Sequence, residues 1–464
     1  DGKWNVNEKG AEYYDMMINT LIENDIVPMA TLYHWDLPYA LHEKYGGWLD
    51  YHSQFDFANY AEFCFERFGD RVKNWITINE PWVNCVGGYK NGPGKAPYRC
   101  TGEAPRKLAN DTTGLDLEGG CSYEIGPSQY YKGAKVLSAN RPPQRLEDVW
   151  CSHNILLGHA QAKQKGLIGI TVDGEAEIPW EEPNMSEEEL ENNKKYANLG
   201  TEFRIGWYSD PTIFGDYPAS VKQRMGKDMP VFSDEEKALL KGSSSDFLGW
   251  NTYTSHWAAQ VKNEDGTYIQ PPTDEKARRG EGWTCIPPTL GSQAGSSWNT
   301  LYGPTIRVGL NWLYDRYKSV LKNGIVITEN GCAQPNYKVS RANDQVTLDY
   351  FKSIGKEEFV DTYDESIIED EKNIEGSILH DTYRINWYKQ YLENLRLAYV
   401  EDKVDVRGYM AWSLIDNFEW ENGYETRFGM TYIDFYNDKE LTRVPKDSLT
   451  FLGQWYLDNV EQKN

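Results

Sequence analysis

The sequence is notable first for what it lacks. No apolar run approaches the roughly 18 residues that a membrane-spanning helix needs. Basic residues are scarce against acidic ones, 48 against 71, and the formal net charge is −23. A polyanionic partner, whether nucleic acid or an anionic membrane, is thereby disfavoured. There is no Cys-x-x-Cys pair and no cluster among the 7 histidines, so a structural zinc site is not expected. No glycine-rich phosphate fingerprint follows any apolar run, no internal repeat is visible, and no signal peptide can be read at the start. The first residues read as the middle of a domain.

What is present is a large, aromatic-rich chain. It has 464 residues, 39% hydrophobic, with 17 Trp and 32 Tyr. That supply fits a sugar-binding cleft, which needs flat faces for stacking, and equally a large core. The seven cysteines stand at 64, 85, 100, 121, 151, 285 and 332, so at least one thiol is left free. Cys100, Cys121 and Cys151 share one polar, Gly/Pro-containing stretch, where a loop disulfide is expected. Sequons occur at Asn110 and Asn184. The cysteine cluster and the sequons together point toward a secreted or extracellular protein.

Short apolar runs alternate with helical spacing. Residues 26–35, 72–79, 167–172, 246–253, 324–329 and 406–414 read as buried strands. Between them, Tyr14, Met17, Ile18 and Leu21 fall at i, i+3, i+4 and i+7. Phe57, Tyr60, Ala61, Cys64 and Phe68 repeat the pattern, and 380–399 forms a long amphipathic helix. Such alternation argues for parallel α/β architecture, either doubly wound or a (β/α)8 barrel. Polar residues gather where the strands end: His34-Trp35, Asn79-Glu80, Asn251 and Tyr253, Glu329-Asn330. Barrel enzymes place their chemistry there. The segments near 91–150, 261–300 and 335–377 read as polar loop insertions, the last acidic in the manner of a solvated surface.

Two strand-end glutamates are candidates for paired acid chemistry, Glu80 in Thr-Ile-Asn-Glu-Pro and Glu329 in Ile-Thr-Glu-Asn-Gly. Cleaving a glycosidic bond takes an acid for the leaving oxygen and a second carboxylate as nucleophile or base. Strand-end carboxylates are common, so spacing alone supports this pairing weakly.

The literal motifs carry more. The chain resembles glycoside hydrolase family 1, the β-glucosidase family, along its whole length. The acid/base motif stands at 77–81 and the nucleophile motif at 327–331. A last-strand block, 411–420 followed by 423–429, matches as well, as do 31–38, 210–218 and 246–255. The resemblance implies a single (β/α)8 TIM-barrel catalytic domain, no cofactor or metal, a small carbohydrate substrate, and retaining hydrolysis of terminal β-glucosyl residues through a covalent glycosyl–enzyme. It implies Glu80 as acid/base and Glu329 as nucleophile, with their carboxyls about 5–5.5 Å apart. Asn79 would bind the 2-hydroxyl and Tyr253 would hold Glu329. His34 and Trp420 would bind the 3-hydroxyl, and Glu419 the 4- and 6-hydroxyls. Trp412 would stack under the ring, Phe428 would pack near the 6-position, and Trp35 and Asn251 would support this wall. Trp298 would stack on the leaving group, with a plain packing role the equal alternative.

Glu419 disfavours a 6-phosphorylated sugar by charge repulsion. Glu80, in place of the Gln of the family's thioglucosidases, favours an O-glycosidase. Glucose is expected before galactose. The alternatives are a non-catalytic carbohydrate-binding pseudo-enzyme on the same fold, or a transglycosylase. In the family the position of Asp1 follows two further strands, which carry a Gln for the 3- and 4-hydroxyls and an Arg beside the nucleophile. The expectation is therefore a piece of a longer chain, incomplete at its N-terminus.

Overall fold

The computed structural model describes residues 6–91, 146–162, 166–181, 184–242, 245–254, 256–260, 283–285, 292–293, 298–333, 379–424, 426–436 and 438–460. The acidic stretch 335–377, most of the 91–150 insertion, Asn110, Cys100 and Cys121 lie outside the described residues.

All six expected strands are present: β1 (Met29–Tyr33), β2 (Asn74–Asn79), β3 (Leu167–Asp173), β4 (Phe247–Asn251), β5 (Ile325–Glu329) and β6 (Val406–Tyr409). The chain divides into two compact units. The first comprises Asp1–Asp173, Tyr208–Tyr217 and Lys227–Gly249, and the second Gly174–Trp207, Pro218–Gly226 and Trp250–Asn464. Strand β4 therefore starts in the first unit and ends in the second.

In the first unit β1, β2 and β3 are parallel neighbours in chain order, pairing Met29 with Asn74 and Asn74 with Leu167. The start of β4 joins β3, where the Asp246 amide donates to the Ile168 carbonyl at 2.7 Å. The interiors of these strands are apolar and buried, as parallel strands covered on both faces require. Helix α1 (Glu8–Glu23) is capped by Asn7, whose side chain accepts from the Gly10 amide at 3.3 Å. Its expected apolar stripe is covered only in part: Ile18 is buried, whereas Tyr14 and Met17 are exposed. Helix α2 (Ser53–Phe68) buries Phe57, Ala61, Cys64 and Phe68 and leaves Tyr60 outside.

The first residues of helix α3 (Glu147–Gln161) fall in the 91–150 segment expected to be loop, and the helix corrects the disulfide expectation for Cys151, while a Cys100–Cys121 pairing lies outside the described residues. Cys151 sits in this helix, buried on nearly every side, and is bonded to Cys85 rather than to another loop cysteine. The polar residues just before it made it read as loop. The bond closes 66 residues of chain, including the whole undescribed 92–145 stretch. Cys64 and Cys332 are free and buried, in line with the odd cysteine count.

In the second unit the end of β4 neighbours β5, and β5 pairs with β6 in parallel, Ile325 with Val406. Strand β6 stops at Tyr409, short of the expected 414, because the chain there turns into the loop that carries Trp412. Helix α4 (Glu187–Thr201) opens with a capping box between Ser186 and Glu189. Helix α5 (Pro304–Tyr317) starts with proline in its first turn. Helix α6 (Thr382–Val400) buries Tyr383, Trp387, Tyr388, Tyr391, Leu392 and Leu395. The 261–300 segment is not all loop: Trp283–Cys285 pairs antiparallel with Trp257–Gln260.

Candidate active site

The first unit presents His34, Trp35, Asn79 and Glu80 at the C-terminal ends of β1 and β2. Both turns leave their strands through left-handed backbone, with φ 76° at Trp35 and 48° at Glu80. Such φ values are uncommon outside glycine and occur where a side chain must be aimed. Glu80 is almost fully buried. Its amide donates to the Thr171 carbonyl at 2.9 Å, and its own carbonyl accepts from the Asn84 amide at 3.2 Å. The Trp35 indole donates to the Asn79 carbonyl at 3.0 Å, and the Asn79 amide nitrogen lies 3.2 Å from His34 Nε2. Burial pushes the His34 imidazole down to about 4, so the ring is neutral and Nε2 can accept from Asn79. His34, Trp35 and Asn79 thus form one hydrogen-bonded group, and Glu80 follows Asn79 in the chain.

Behind β2, Thr77 donates to the Gly169 carbonyl at 3.3 Å and sits 2.7 Å from His159 Nδ1. His159 Nε2 is 3.3 Å from Ser245 Oγ. Burial holds His159 neutral, down to about 4. Nδ1 therefore donates to Thr77 and Nε2 accepts from Ser245, which fixes the strand that bears Glu80. Sequence reading did not find His159, since its partner lies 82 residues away.

The second unit holds Asn251, Tyr253, Trp298, Glu329, Trp412, Glu419, Trp420 and Phe428. Glu329 ends β5, nearly buried. The Tyr253 hydroxyl donates to Glu329 Oε2 at 2.6 Å, a short charge-assisted contact when the carboxylate is ionised. The Thr252 amide donates to the Glu329 carbonyl at 3.1 Å. Asn251 is buried and accepts from Thr328 Oγ1 at 2.6 Å, so it braces the strand that bears Glu329 from its neighbour. Tyr253, Ala333 and Phe428 form a small buried cluster with Trp412 packed against it. Trp298 is 47% exposed, 5.5 Å from the Tyr253 ring and 6.1 Å from Phe428. It is thus both packed and open to a ligand. Glu419 and Trp420 lie in a tight turn in which the Glu419 amide donates to the Gly423 carbonyl at 2.6 Å and Trp420 has φ 46°. The peptide between Trp412 and Ser413 is cis.

Gly331 is required by close approach: a Cβ there would lie 1.9 Å from the Trp412 carbonyl oxygen. The glycine lets the two segments meet.

A buried ionic frame, not foreseen from sequence, holds the 411–433 loop. Asp416 accepts from Arg427 at 2.7 Å, from Lys446 at 3.0 Å and from the Gly429 amide at 3.0 Å. Burial, with Arg384 nearby, pushes the Lys446 amine down to about 8. Arg384 pairs with Asp381 and donates to the Cys332 carbonyl at 3.0 Å and the Arg427 carbonyl at 2.8 Å. One guanidinium thereby ties the segment leaving Glu329 to the loop bearing Phe428. Asp416 and Arg427 stand inside recognisable sequence blocks, but Arg384 and Lys446 carried no signal of their own.

Among the described residues, no group of His, Cys, Asp and Glu could hold a metal ion, and no helix is long and apolar enough to cross a membrane.

Comparison with known proteins bears on this geometry. β-Glucosidase 1B of Phanerodontia chrysosporium is 35% identical over 471 aligned residues, covering 98% of this chain and 70% of that protein. β-Glucosidase 40 of Arabidopsis thaliana is 34% identical, covering 97% of this chain and 75% of its own length. Among solved structures, a rice β-glucosidase variant in a covalent complex with glucose superposes with TM-score 0.71 at 32% identity, covering 99% of this chain and 81% of the rice chain. The six described parallel strands and their helices are those of the (β/α)8 barrel. The family model for glycosyl hydrolase family 1 matches residues 1–105, 130–378 and 363–464, and the chain belongs to that family.

Proposed function

We propose that the protein is a retaining β-glucosidase in which Glu329 is the nucleophile and Glu80 the acid/base. A Glu329 carboxylate oxygen attacks the anomeric carbon of a terminal β-glucosyl residue. The bond to the leaving oxygen breaks, and that oxygen takes the proton of Glu80. Water then attacks the glycosyl–enzyme and gives a proton to Glu80, and Glu329 departs. The observation that carries the reading is the Tyr253–Glu329 hydrogen bond at the end of a strand whose motif is the family's, in a chain similar to a rice enzyme with covalently bound glucose. A nucleophile must be ionised and fixed, and a phenol donor at 2.6 Å favours both.

Asn79 reads as the 2-hydroxyl ligand, with neutral His34 and Trp420 at the 3-hydroxyl and Glu419 at the 4- and 6-hydroxyls. Trp412 forms the floor, Phe428 packs at the 6-position, Trp35 and Asn251 brace the wall, and Trp298 meets the leaving group. Substrates are cellobiose, short oligosaccharides and aryl or alkyl glucosides, with galactosides slower. The Cys85–Cys151 disulfide and the exposed sequon residue Asn184 support a secreted or extracellular location.

The test is to treat the purified protein with a 2-deoxy-2-fluoro-β-glucoside bearing a good leaving group, and to map the label by peptide mass. A glycosyl adduct on Glu329, with aryl β-glucoside hydrolysis in the untreated protein, is expected. Labelling elsewhere, or no hydrolysis at all, overturns the assignment.

A further inference from the structure

Asn330 follows Glu329, is fully buried, and has no role in the reaction as written above. A polar amide in that setting must be satisfied on both ends. Its Nδ2 donates to the Thr252 carbonyl at 2.6 Å. Its Oδ1 accepts from the Tyr409 hydroxyl at 2.7 Å and from the Trp387 indole at 3.2 Å. These partners leave one possible orientation of the amide, since the phenol and indole need an acceptor and the carbonyl needs a donor. Three elements meet there: the end of β4, the end of β6 and helix α6.

The backbone extends the same arrangement. The Asn330 carbonyl accepts from the Trp412 amide at 2.9 Å. Thr252, whose carbonyl Asn330 holds, donates its amide to the Glu329 carbonyl at 3.1 Å and directly precedes Tyr253. The Tyr253–Glu329 hydrogen bond is thus fixed at both ends by one residue: at Glu329 through the chain, and at Tyr253 through Thr252. A leucine would take the partner from the Thr252 carbonyl, the Tyr409 hydroxyl and the Trp387 indole at once. An aspartate would keep the shape, lose the donor to Thr252 and set a second carboxylate beside Glu329.

We propose that Asn330 is a positioning residue for the glycosylation step, its amide aligning the Tyr253–Glu329 pair and its carbonyl seating Trp412, so that Glu329 faces the anomeric carbon in attacking orientation. This deepens the β-glucosidase reading and rests on it. A residue that merely stabilised the fold would, when altered, change the melting temperature and leave the chemistry of the folded fraction intact. A positioning residue changes the chemical rate, and its loss frees the nucleophile from Tyr253.

Two variants separate these. Asn330→Asp removes the donor, and Tyr409→Phe removes one hydroxyl, adds no charge and keeps the ring. For each, the rate constant of covalent trapping by the fluoroglucoside and the acid limb of kcat/KM against pH are measured beside the melting temperature. Trapping is expected to slow about tenfold in Asn330→Asp and about threefold in Tyr409→Phe. The acid limb should move to higher pH in both, because Glu329 is less well held as the anion. Folded variants with wild-type trapping rate and an unmoved acid limb overturn the proposal. If Asn330→Asp does not fold, Tyr409→Phe decides alone. If the wild-type protein is not labelled at Glu329, the β-glucosidase reading itself has failed, and the inference falls with it.

Discussion

The two carboxylates are seated in different ways. In the first unit, Glu80 is anchored through its main chain, by Thr171 on one side and Asn84 on the other, across a left-handed turn. In the second unit, Glu329 receives a side-chain donor, Tyr253, and the chain around it is tied by Asn330, Asn251 and Arg384. In the proposed reaction the acid/base must give up and regain a proton within one turnover. A nucleophile stays ionised until it attacks, and a fixed donor costs it little while setting its direction. The Tyr253 contact at Glu329 suits the nucleophile role proposed for it.

The comparison breaks most visibly by deleting each carboxylate in turn. Glu329→Ala should lower kcat on every β-glucoside by about 10⁴-fold or more, whatever the leaving group. Added azide should fill the vacated space and give a glucosyl azide of inverted anomeric configuration, detectable by NMR. Glu80→Ala should lower activity by about 10²–10⁴-fold on alkyl glucosides. With activated aryl glucosides, bond cleavage should be nearly spared and deglycosylation should limit the rate, visible as a burst of phenol. Equal sensitivity to leaving group in the two variants would collapse the distinction between the carboxylates.

A finer cut is Tyr253→Phe, which removes a side-chain donor from Glu329. It should lower kcat/KM about 10–10²-fold and raise the acid limb of the pH profile, since a hydrogen bond to the charged form holds a carboxylate's pKa down. An unmoved acid limb would mean that the phenol does not set the ionisation of Glu329.

How much of this could be read from the chain differs by layer. The six strands were legible because parallel strands buried on both faces leave continuous apolar runs. Helix α3 was not, because it is buried on nearly all sides and shows no stripe, and that hid the true partner of Cys151. In α1 the stripe is present, yet Tyr14 and Met17 lie exposed, so periodicity alone overstated what the fold covers. The candidate site residues were legible where a motif names them. Their supports were legible only inside the same motifs, as with Asn330, Asp416 and Arg427. Arg384, Lys446 and His159 were invisible, because their meaning lies in partners tens of residues away, which only the folded chain brings near.

The smallest expected effect sharpens the same comparison through stability. His34, His153 and His159 all lie in the first unit, each pushed down to about 4 by burial. In the unfolded chain they titrate near the ordinary value of about 6.5. Between those values the unfolded state binds more protons than the folded one, so stability is fully present above about 6.5 and is lost as pH falls through 6.5 toward 4. For the fully buried His153 and His159 the contribution is on the order of 1 kcal/mol or more each. His153 is stacked on Phe232 at 4.3 Å and lies 3.0 Å from the Tyr217 hydroxyl, so its protonation would put a charge into an aromatic sandwich. Chemical denaturation across pH 4–7 should therefore show falling stability on the acid side. His153→Gln, which cannot take up the proton, should flatten that slope even though it lowers stability at pH 7. A slope that His153→Gln leaves unchanged would shift the acid sensitivity away from this cluster, and the first unit would then owe its pH response to its carboxylates.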